Sequence, residues 1–317
     1  MEDILFLQGA IAARQLAAIR QPAGLPDVEF KVFSQWGEDG IIEWLVSRLP
    51  GIPQRFIELG VQDFRESNCR FLLQHRNWRG LIMDGSAANM AAVRAHPLHW
   101  RHDLSAVAAF ITRDNIDGII RENQFPGEIG ILSIDLDGND YWILDTIHSV
   151  EPWIVICEYN AVFGDALPIS VPYDEAFVRE NAHHSYLYWG TSVAAIVHWA
   201  KRRGYVLLGS NRAGNNAFLV REDLAGRCFA DAPTNRAPLP SRYRESRDAQ
   251  GRLSFAAGLD RLALMKGLPV VDVSSGETLR LEPGMPLYSD RWLAHMQGRG
   301  SWDRAGKQEG LGSGSDR

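Results

Sequence analysis

The strongest constraint on the fold of this chain lies between residues 56 and 84. An apolar segment that reaches Glu58 and Gly60 is followed by a helical pattern, and a second apolar segment then ends in Asp84. This order predicts a βαβ unit with an acidic residue near the carboxyl end of each strand. Open parallel sheets bind ligands at that edge, so both acids are candidate ligand contacts.

The glycine content narrows the class of ligand. A dinucleotide fingerprint needs the pattern G-x-G-x-x-G to admit a pyrophosphate, and here only Gly60 is present. Gly60 lets the backbone approach a bound molecule, and Asp84 is placed to accept hydrogen bonds from a ribose diol. A nucleoside ligand without a pyrophosphate, such as S-adenosylmethionine, fits this pattern better.

Strands and helices alternate along the chain, which predicts an α/β fold. We expect a Rossmann-like, mainly parallel sheet with helices on both faces and a terminal antiparallel hairpin. The clearest further strands are predicted at 129–134, 153–157, 204–208 and 216–220. A helix is expected over 34–49, a short strand over 98–101 that reaches Asp103, and two helical stretches within 105–123.

The domain organisation follows from changes in composition. We expect the following parts: 1–30, an N-terminal helix that covers the site or forms a dimer; 31–222, a domain that binds S-adenosylmethionine, with an acceptor-site insertion at 161–190; 223–297, a C-terminal extension; and 298–317, a disordered tail.

Composition excludes several functions. The formal net charge of −6 disfavours a nucleic-acid partner, and three widely spaced cysteines suggest a reducing compartment. The N-terminus lacks the pattern of a signal peptide, and no apolar run approaches the roughly 20 residues of a membrane span. We therefore expect a cytoplasmic protein without a membrane partner.

Acidic residues stand at the ends of several predicted strands, so we expect their side chains to converge on one crevice. Glu58 suits an ammonium group, and Asp84 suits a ribose. Asp103 could accept a hydrogen bond from an adenine amino group, or it could cap a helix. The acids and the polar residue that end the strands are Glu58, Asp84, Asp103, Asp135, Asp137, Glu158 and Asn160.

Four of these residues form a candidate Mg²⁺ site, since Mg²⁺ prefers carboxylates and water. They are Asp135, Asp137, Glu158 and Asn160. Alternatively, Asp137 or Asp140 caps the following helix and Asp135 orients the substrate.

With these motifs, the chain resembles the class I S-adenosylmethionine-dependent methyltransferases, in particular the FkbM-like branch. The similarity covers about residues 30 to 222, and it rests on the segments at 56–60, Asp84 and 133–138. The family's second motif glycine is replaced by Gln62. The resemblance implies that the cofactor is bound by Glu58, Gly60, Asp63, Asp84, Gly85, Asp103 and Asp135.

The resemblance also implies methyl transfer to oxygen on a small molecule or a glycan, with a divalent metal as a further element. Candidate catalytic residues are His183, His184 and Asp135, although a histidine pair in an insertion can equally be structural. A homodimer is a further expectation. The arginines at 236, 242, 244 and 247 could meet a phosphate or an acidic acceptor, or they could lie in a solvated loop.

Two other functions remain open from the sequence. A non-catalytic protein that binds S-adenosylmethionine is compatible with Gln62. A nicotinamide-dependent oxidoreductase would use a similar sheet but lacks its glycine fingerprint.

Overall fold

The computed structural model describes residues 2–16 and 18–297. The expected disordered tail, 298–317, lies outside the described residues. The strands are β1 (Arg55–Leu59), β2 (Arg79–Asp84), β3 (Leu104–Ala108), β4 (Gly127–Ile134), β5 (Val150–Glu158), β6 (Ile169–Ser170), β7 (Tyr205–Ser210), β8 (Asn216–Arg221), β9 (Pro269–Asp272) and β10 (Thr278–Arg280).

The helices connect these strands and cover the sheet. They are α1 (Glu2–Leu16), α2 (Glu38–Ser47), α3 (Arg70–Arg76), α4 (Ala87–Ala95), α5 (Pro97–Arg101), α6 (Ile116–Glu122), α7 (Asp140–Thr146), α8 (Arg179–Ala182), α9 (Val193–Arg203), α10 (Glu222–Cys228), α11 (Asp260–Leu264) and α12 (Asp290–Met296), with short 3₁₀ helices at Leu25–Val28 and Ala161–Phe163.

Seven strands form the main sheet in the order β3-β2-β1-β4-β5-β8-β7. The five strands from β1 to β5 are parallel to their neighbours, and β8 runs antiparallel to both β5 and β7. This arrangement confirms the predicted fold class, including the terminal antiparallel hairpin. The strand order reverses between β1 and β4, where open α/β sheets bind their ligands.

Side chains that alternate along the strands form one buried apolar layer on each face of the sheet. Phe56 and Ile131 pack on one face with α2, α3, α4 and α10, whereas Ile57 and Leu132 pack on the other with α6, α7, α9 and α12. Both faces are covered because the period of two along each strand sends apolar residues in both directions.

A second, smaller sheet joins two distant parts of the chain. Strand β6 belongs to the predicted insertion, and it pairs antiparallel with β9 of the C-terminal extension, which in turn pairs with β10. Apolar residues from both parts, among them Val171 and Val270, form a separate cluster beneath this sheet. The insertion and the extension therefore fold against each other.

The strand predicted at 98–101 is wrong. This segment is helix α5, because Pro97 occupies the first turn and the His96 side chain accepts a hydrogen bond from the Leu98 N–H. The strand is instead β3, which starts at Leu104, so Asp103 lies at the amino end of a strand and not at its carboxyl end. The prediction of a helix that starts at residue 105 is therefore also wrong for residues 105–108, which belong to β3.

The helix expected over 34–49 begins later, at Glu38. Ser34 lies before the helix, and its hydroxyl oxygen accepts from the Asp39 N–H in the first turn at 3.1 Å, as a capping side chain does. In return, the buried carboxylate of Asp39 accepts hydrogen bonds from the backbone N–H groups of Val32, Phe33 and Ser34 at 2.7, 2.9 and 2.8 Å. These bonds fix the segment that leads to the sheet edge, and burial raises the pKa of Asp39 to about 6.

Among residues 2–16 and 18–297, no helix combines the length and the apolar composition needed to cross a bilayer.

The Asp39 network gives a first prediction, for stability. Asp39→Ala should lower the free energy of unfolding by about 2–4 kcal/mol, because it leaves three backbone donors without their acceptor. Ser34→Ala removes only one hydroxyl from the same network, so it should cost about 1 kcal/mol. Urea unfolding of both variants measures this difference, and equal losses would contradict the assigned role of Asp39.

Candidate active site

The loop after β1 has the backbone form of a glycine-rich loop, although it contains one glycine. Gly60, Gln62 and Phe64 all have positive φ angles, of 79°, 48° and 61°. A side chain at position 60 would be impossible, since a Cβ atom there would lie 1.6 Å from the carbonyl oxygen of Asp135. Gly60 thus lets the ends of β1 and β4 meet at the topological switch point.

A cavity of about 170 Å³ opens on one side of Gly60. Asp84 lies in its wall, where one carboxylate oxygen accepts from the Gln62 N–H at 2.8 Å and the other from the Ser86 N–H at 2.8 Å. Each oxygen keeps a further lone pair, as contact with a ribose diol requires. Residues that also line this cavity include Gly85, Phe110, Ile111 and Phe177.

A second cavity, of about 140 Å³, opens on the other side. The two cavities share Gly60, Gln62 and Asp135, so they form one crevice along the sheet edge. The second is lined by polar and charged side chains that include Gln35, Glu58, Asp63, Asn68 and Asn216. This polarity contrasts with the Phe110 side and suits a charged group.

Glu58 holds the loop that leads into α3. Its Oε1 accepts from the Asn68 N–H at 2.7 Å, and its Oε2 accepts from the Ser67 hydroxyl at 2.6 Å and from the Cys69 N–H at 3.0 Å. Burial raises the pKa of Glu58. A carboxylate therefore already occupies the backbone donors at the amino end of α3.

Three carboxyl groups meet where β4 and β5 end. Oxygen atoms of Asp135, Asp140 and Glu158 lie within 4.8 Å of one another. Burial and the neighbouring acids raise the pKa values of Asp135 and Glu158 well above the ordinary range, and burial raises that of Asp140 to about 6. Glu158 Oε2 is buried and has no hydrogen-bond partner among the described residues.

Two of the predicted metal ligands are not in this cluster. Asp137 lines the first cavity, but its Oδ1 forms an ion pair with Arg179, whose Nη1 lies 2.7 Å away. Asn160 donates to the carbonyl oxygens of Leu187 and Trp189 and accepts from the Val162 N–H, so its amide holds the insertion in place. The cluster contains Asp140 instead, whose oxygens also accept from two backbone N–H groups before α7.

Asp103 is not brought into this crevice. It lies at the amino end of β3 and forms an ion pair with Arg79 at 3.4 Å. The role expected for it, at the adenine group, depended on a strand end that the chain does not have. Phe110 and Ile111, which follow the carboxyl end of β3, occupy that place.

The histidine pair lies in the insertion, and neither ring is among the described residues that line the two cavities. The His183 Nδ1 lies 2.7 Å from the Ser185 Oγ, and the two histidine rings are 4.1 Å apart. Burial and the proximity of His184 lower the pKa of His183.

Sequence reasoning did not assign three residues to this crevice. Phe110 would have followed from a correct position of β3. Asp140 was expected only as an alternative helix cap, and as the first residue of α7 it lies in the acid cluster. No local sequence pattern indicated Tyr243, because it belongs to the C-terminal extension, which is distant in the sequence. Its ring stacks on Trp36 with centroids 6.1 Å apart, and burial, followed by the charge of Glu158, raises its pKa.

The acid cluster gives a second prediction. Raised pKa values of Asp135 and Glu158 mean that the folded protein holds protons that the unfolded chain releases, so stability falls as the pH rises through the folded-state values. Glu158→Gln should reduce the loss of thermal stability as the pH rises above the ordinary range of a carboxyl group.

Melting temperatures across this pH range measure the effect. The exposed Glu277→Gln variant serves as a control and should leave the pH dependence unchanged. If the melting temperature of Glu158→Gln fell with rising pH as steeply as that of the natural chain, the raised pKa values of Asp135 and Glu158 would be contradicted.

No protein-family model matches this sequence, and no curated protein matches it. Solved structures with a similar fold include the N-terminal domain of EvdMO1 with S-adenosylhomocysteine bound (14% identity, 59% of this chain, 80% of that chain, TM-score 0.40). An S-adenosylmethionine-dependent methyltransferase from Clostridium acetobutylicum is 10% identical over 58% of this chain and 90% of its own, with a TM-score of 0.37.

A third similar structure is the O-methyltransferase from Bacillus cereus in complex with S-adenosylhomocysteine. It is 14% identical, covers 55% of this chain and 76% of its own, and has a TM-score of 0.32. Two of these three neighbours are named as methyltransferases, and the first and third contain S-adenosylhomocysteine. At these identities and scores the likeness concerns the fold, so a function for this chain has to be argued from its own crevice.

Proposed function

We propose that this protein is an S-adenosylmethionine-dependent methyltransferase that methylates a hydroxyl group of a small molecule or sugar. The observation that carries the proposal is the division of the crevice at Gly60. One half has an aromatic wall and the Asp84 carboxylate, which suits adenosine, and the other half is polar, which suits an amino-acid end. A nucleoside joined to an amino acid matches both halves.

The bonds of Glu58 weigh against a nicotinamide dinucleotide. Dinucleotides place their pyrophosphate on the N–H groups at a helix amino end, beside a glycine-rich turn. Here the Glu58 carboxylate accepts from two backbone N–H groups just before α3, so an anion from the protein already fills that position. A pyrophosphate would have to displace it and would then face its negative charge.

The proton acceptor in this proposal is Asp135. S-adenosylmethionine, when bound, supplies an electrophilic methyl group on a positively charged sulfur. The acceptor oxygen would form the C–O bond as the methyl–sulfur bond breaks, with S-adenosylhomocysteine as the neutral leaving group, and Asp135 would take the hydroxyl proton beside Glu158. Asp135 suits this task by its position, because it lines both cavities of the crevice and so lies where cofactor and acceptor would meet.

A Mg²⁺ ion is a further element of the proposal. The oxygens of Asp135, Asp140 and Glu158 are close enough to share one ion, and the unpartnered Glu158 Oε2 is a hard donor of the kind that Mg²⁺ accepts. The ion would lower the pKa of the acceptor hydroxyl. Calorimetric titration of the natural chain and of Asp135→Asn with MgCl₂ tests this Mg²⁺ site. Equal heats of binding for the two proteins would reject it.

A non-catalytic protein that binds the same cofactor is the second candidate. It is favoured by the side chain of Gln62, which stands in a left-handed loop position where glycine is preferred. Single-turnover assays with labelled S-adenosylmethionine distinguish the two, since methyl transfer to any acceptor excludes the non-catalytic function.

The third prediction tests the cofactor site. Asp84→Ala should weaken binding of S-adenosylhomocysteine at least tenfold, because the ribose loses a charged acceptor worth about 1.5–3 kcal/mol. Asp103→Ala, at the opposite edge of the same sheet, is the matched control and should bind normally. Isothermal titration calorimetry measures both affinities, and equal affinities in the two variants would overturn the ribose assignment.

A further inference from the structure

A third cavity, of about 300 Å³, lies within the C-terminal extension. It is formed by residues 239–244 on one side and by residues 257–261 with α12 on the other. Arg242, Arg244 and Arg261 all line it, together with Ser241 and Tyr243. No carboxylate is found among the described residues of its lining, so the cavity has a positive lining in a chain whose net charge is −6.

Arg261 is the unusual member of this set. Its side chain is buried, with 4% exposed, and its Nη1 donates to the Ser241 hydroxyl at 2.8 Å. Its Nε is buried without an acceptor in the described part of the chain, as is that of Arg70, so the feature that sets Arg261 apart is the lack of a carboxylate partner. Burial lowers the pKa of Arg261, yet a guanidinium stays protonated in proteins, so the charge remains.

The other strongly buried arginine shows how the chain normally compensates such a charge. Arg70, with 2% exposed, forms an ion pair with Glu2 at 2.9 Å and donates to two backbone carbonyl groups. Arg261 has no carboxylate partner among residues 2–16 and 18–297. Because a buried unpaired charge is costly, an anion from outside the chain would stabilise Arg261.

Two contacts place the cavity next to the crevice. Tyr243 lines the cavity, and its ring stacks on Trp36, which directly follows Gln35 of the crevice lining. Tyr159, which follows Glu158 directly, donates its hydroxyl proton to the Leu239 carbonyl at 2.5 Å. The arginine cavity therefore adjoins the side of the crevice where β5 ends.

We propose that Arg242, Arg244 and Arg261 bind a phosphoryl group of the methyl acceptor, so that the substrate is a phosphorylated small molecule. A phosphoryl group brings close to two negative charges and several acceptor oxygens, which suits converging guanidinium groups better than a single carboxylate. The proposal rests on the proposed function for the identity of the acceptor, but the anion site itself can be measured without any reaction.

Isothermal titration of the full chain with inorganic phosphate, pyrophosphate and acetate tests the site. We expect phosphate or pyrophosphate to bind at least tenfold more tightly than acetate. The double variant Arg242→Ala/Arg244→Ala, at exposed positions, and the variant Arg261→Gln should each weaken this binding at least tenfold. Arg252→Ala, an exposed arginine paired with Asp248, is the control and should bind as the natural chain does.

Three results would overturn the proposal. These are the absence of phosphate and pyrophosphate binding to the natural chain, binding that both cavity variants retain, and acetate binding as tight as phosphate. A parallel titration with S-adenosylhomocysteine keeps the two proposals apart. Cofactor binding without phosphate binding rejects only the anion site, whereas phosphate binding without cofactor binding rejects the methyltransferase function and its acceptor while leaving the anion site in place.

Discussion

The candidate site depends on one close approach between two backbones. Because Gly60 carries no side chain, its Cα can lie against the carbonyl group of Asp135, and the first and fourth strands end side by side. This contact brings the crevice halves together and directs carboxylates from both strands to the same edge. An alanine at this position would push the strand ends apart. The positions of the acids around the crevice therefore depend on a glycine at position 60.

The sequence pattern predicted the sheet well because its central strands are buried on both faces. Such strands are runs of branched apolar residues, and their boundaries were missed by a few residues at most. The edge strand β3 was placed wrongly, since its sequence is only partly apolar and Pro97 and its neighbours resemble a strand in hydrophobicity. That error misplaced Asp103 and concealed Phe110, which shows how one strand boundary decides which residues face a ligand.

The acids were harder to assign than the strands. Position at a strand end predicted Glu58, Asp84 and Asp135 on one edge, and all three line the crevice. The direction of a side chain after the strand end depends on contacts from distant segments. Asp137 turns towards Arg179 of the insertion, and no local pattern could have indicated that partner.

The small three-stranded sheet limits which segments of this chain can be exchanged independently. One strand comes from the insertion and two come from the extension, and they share an apolar cluster apart from the main core. The two segments are 101 residues apart in the sequence at the paired residues Ser170 and Val271, yet they form one structural unit. Exchange of either segment alone would break the shared sheet, and exchange of the whole unit would also change the wall of the Asp84 cavity, because Phe177 of the insertion lines it.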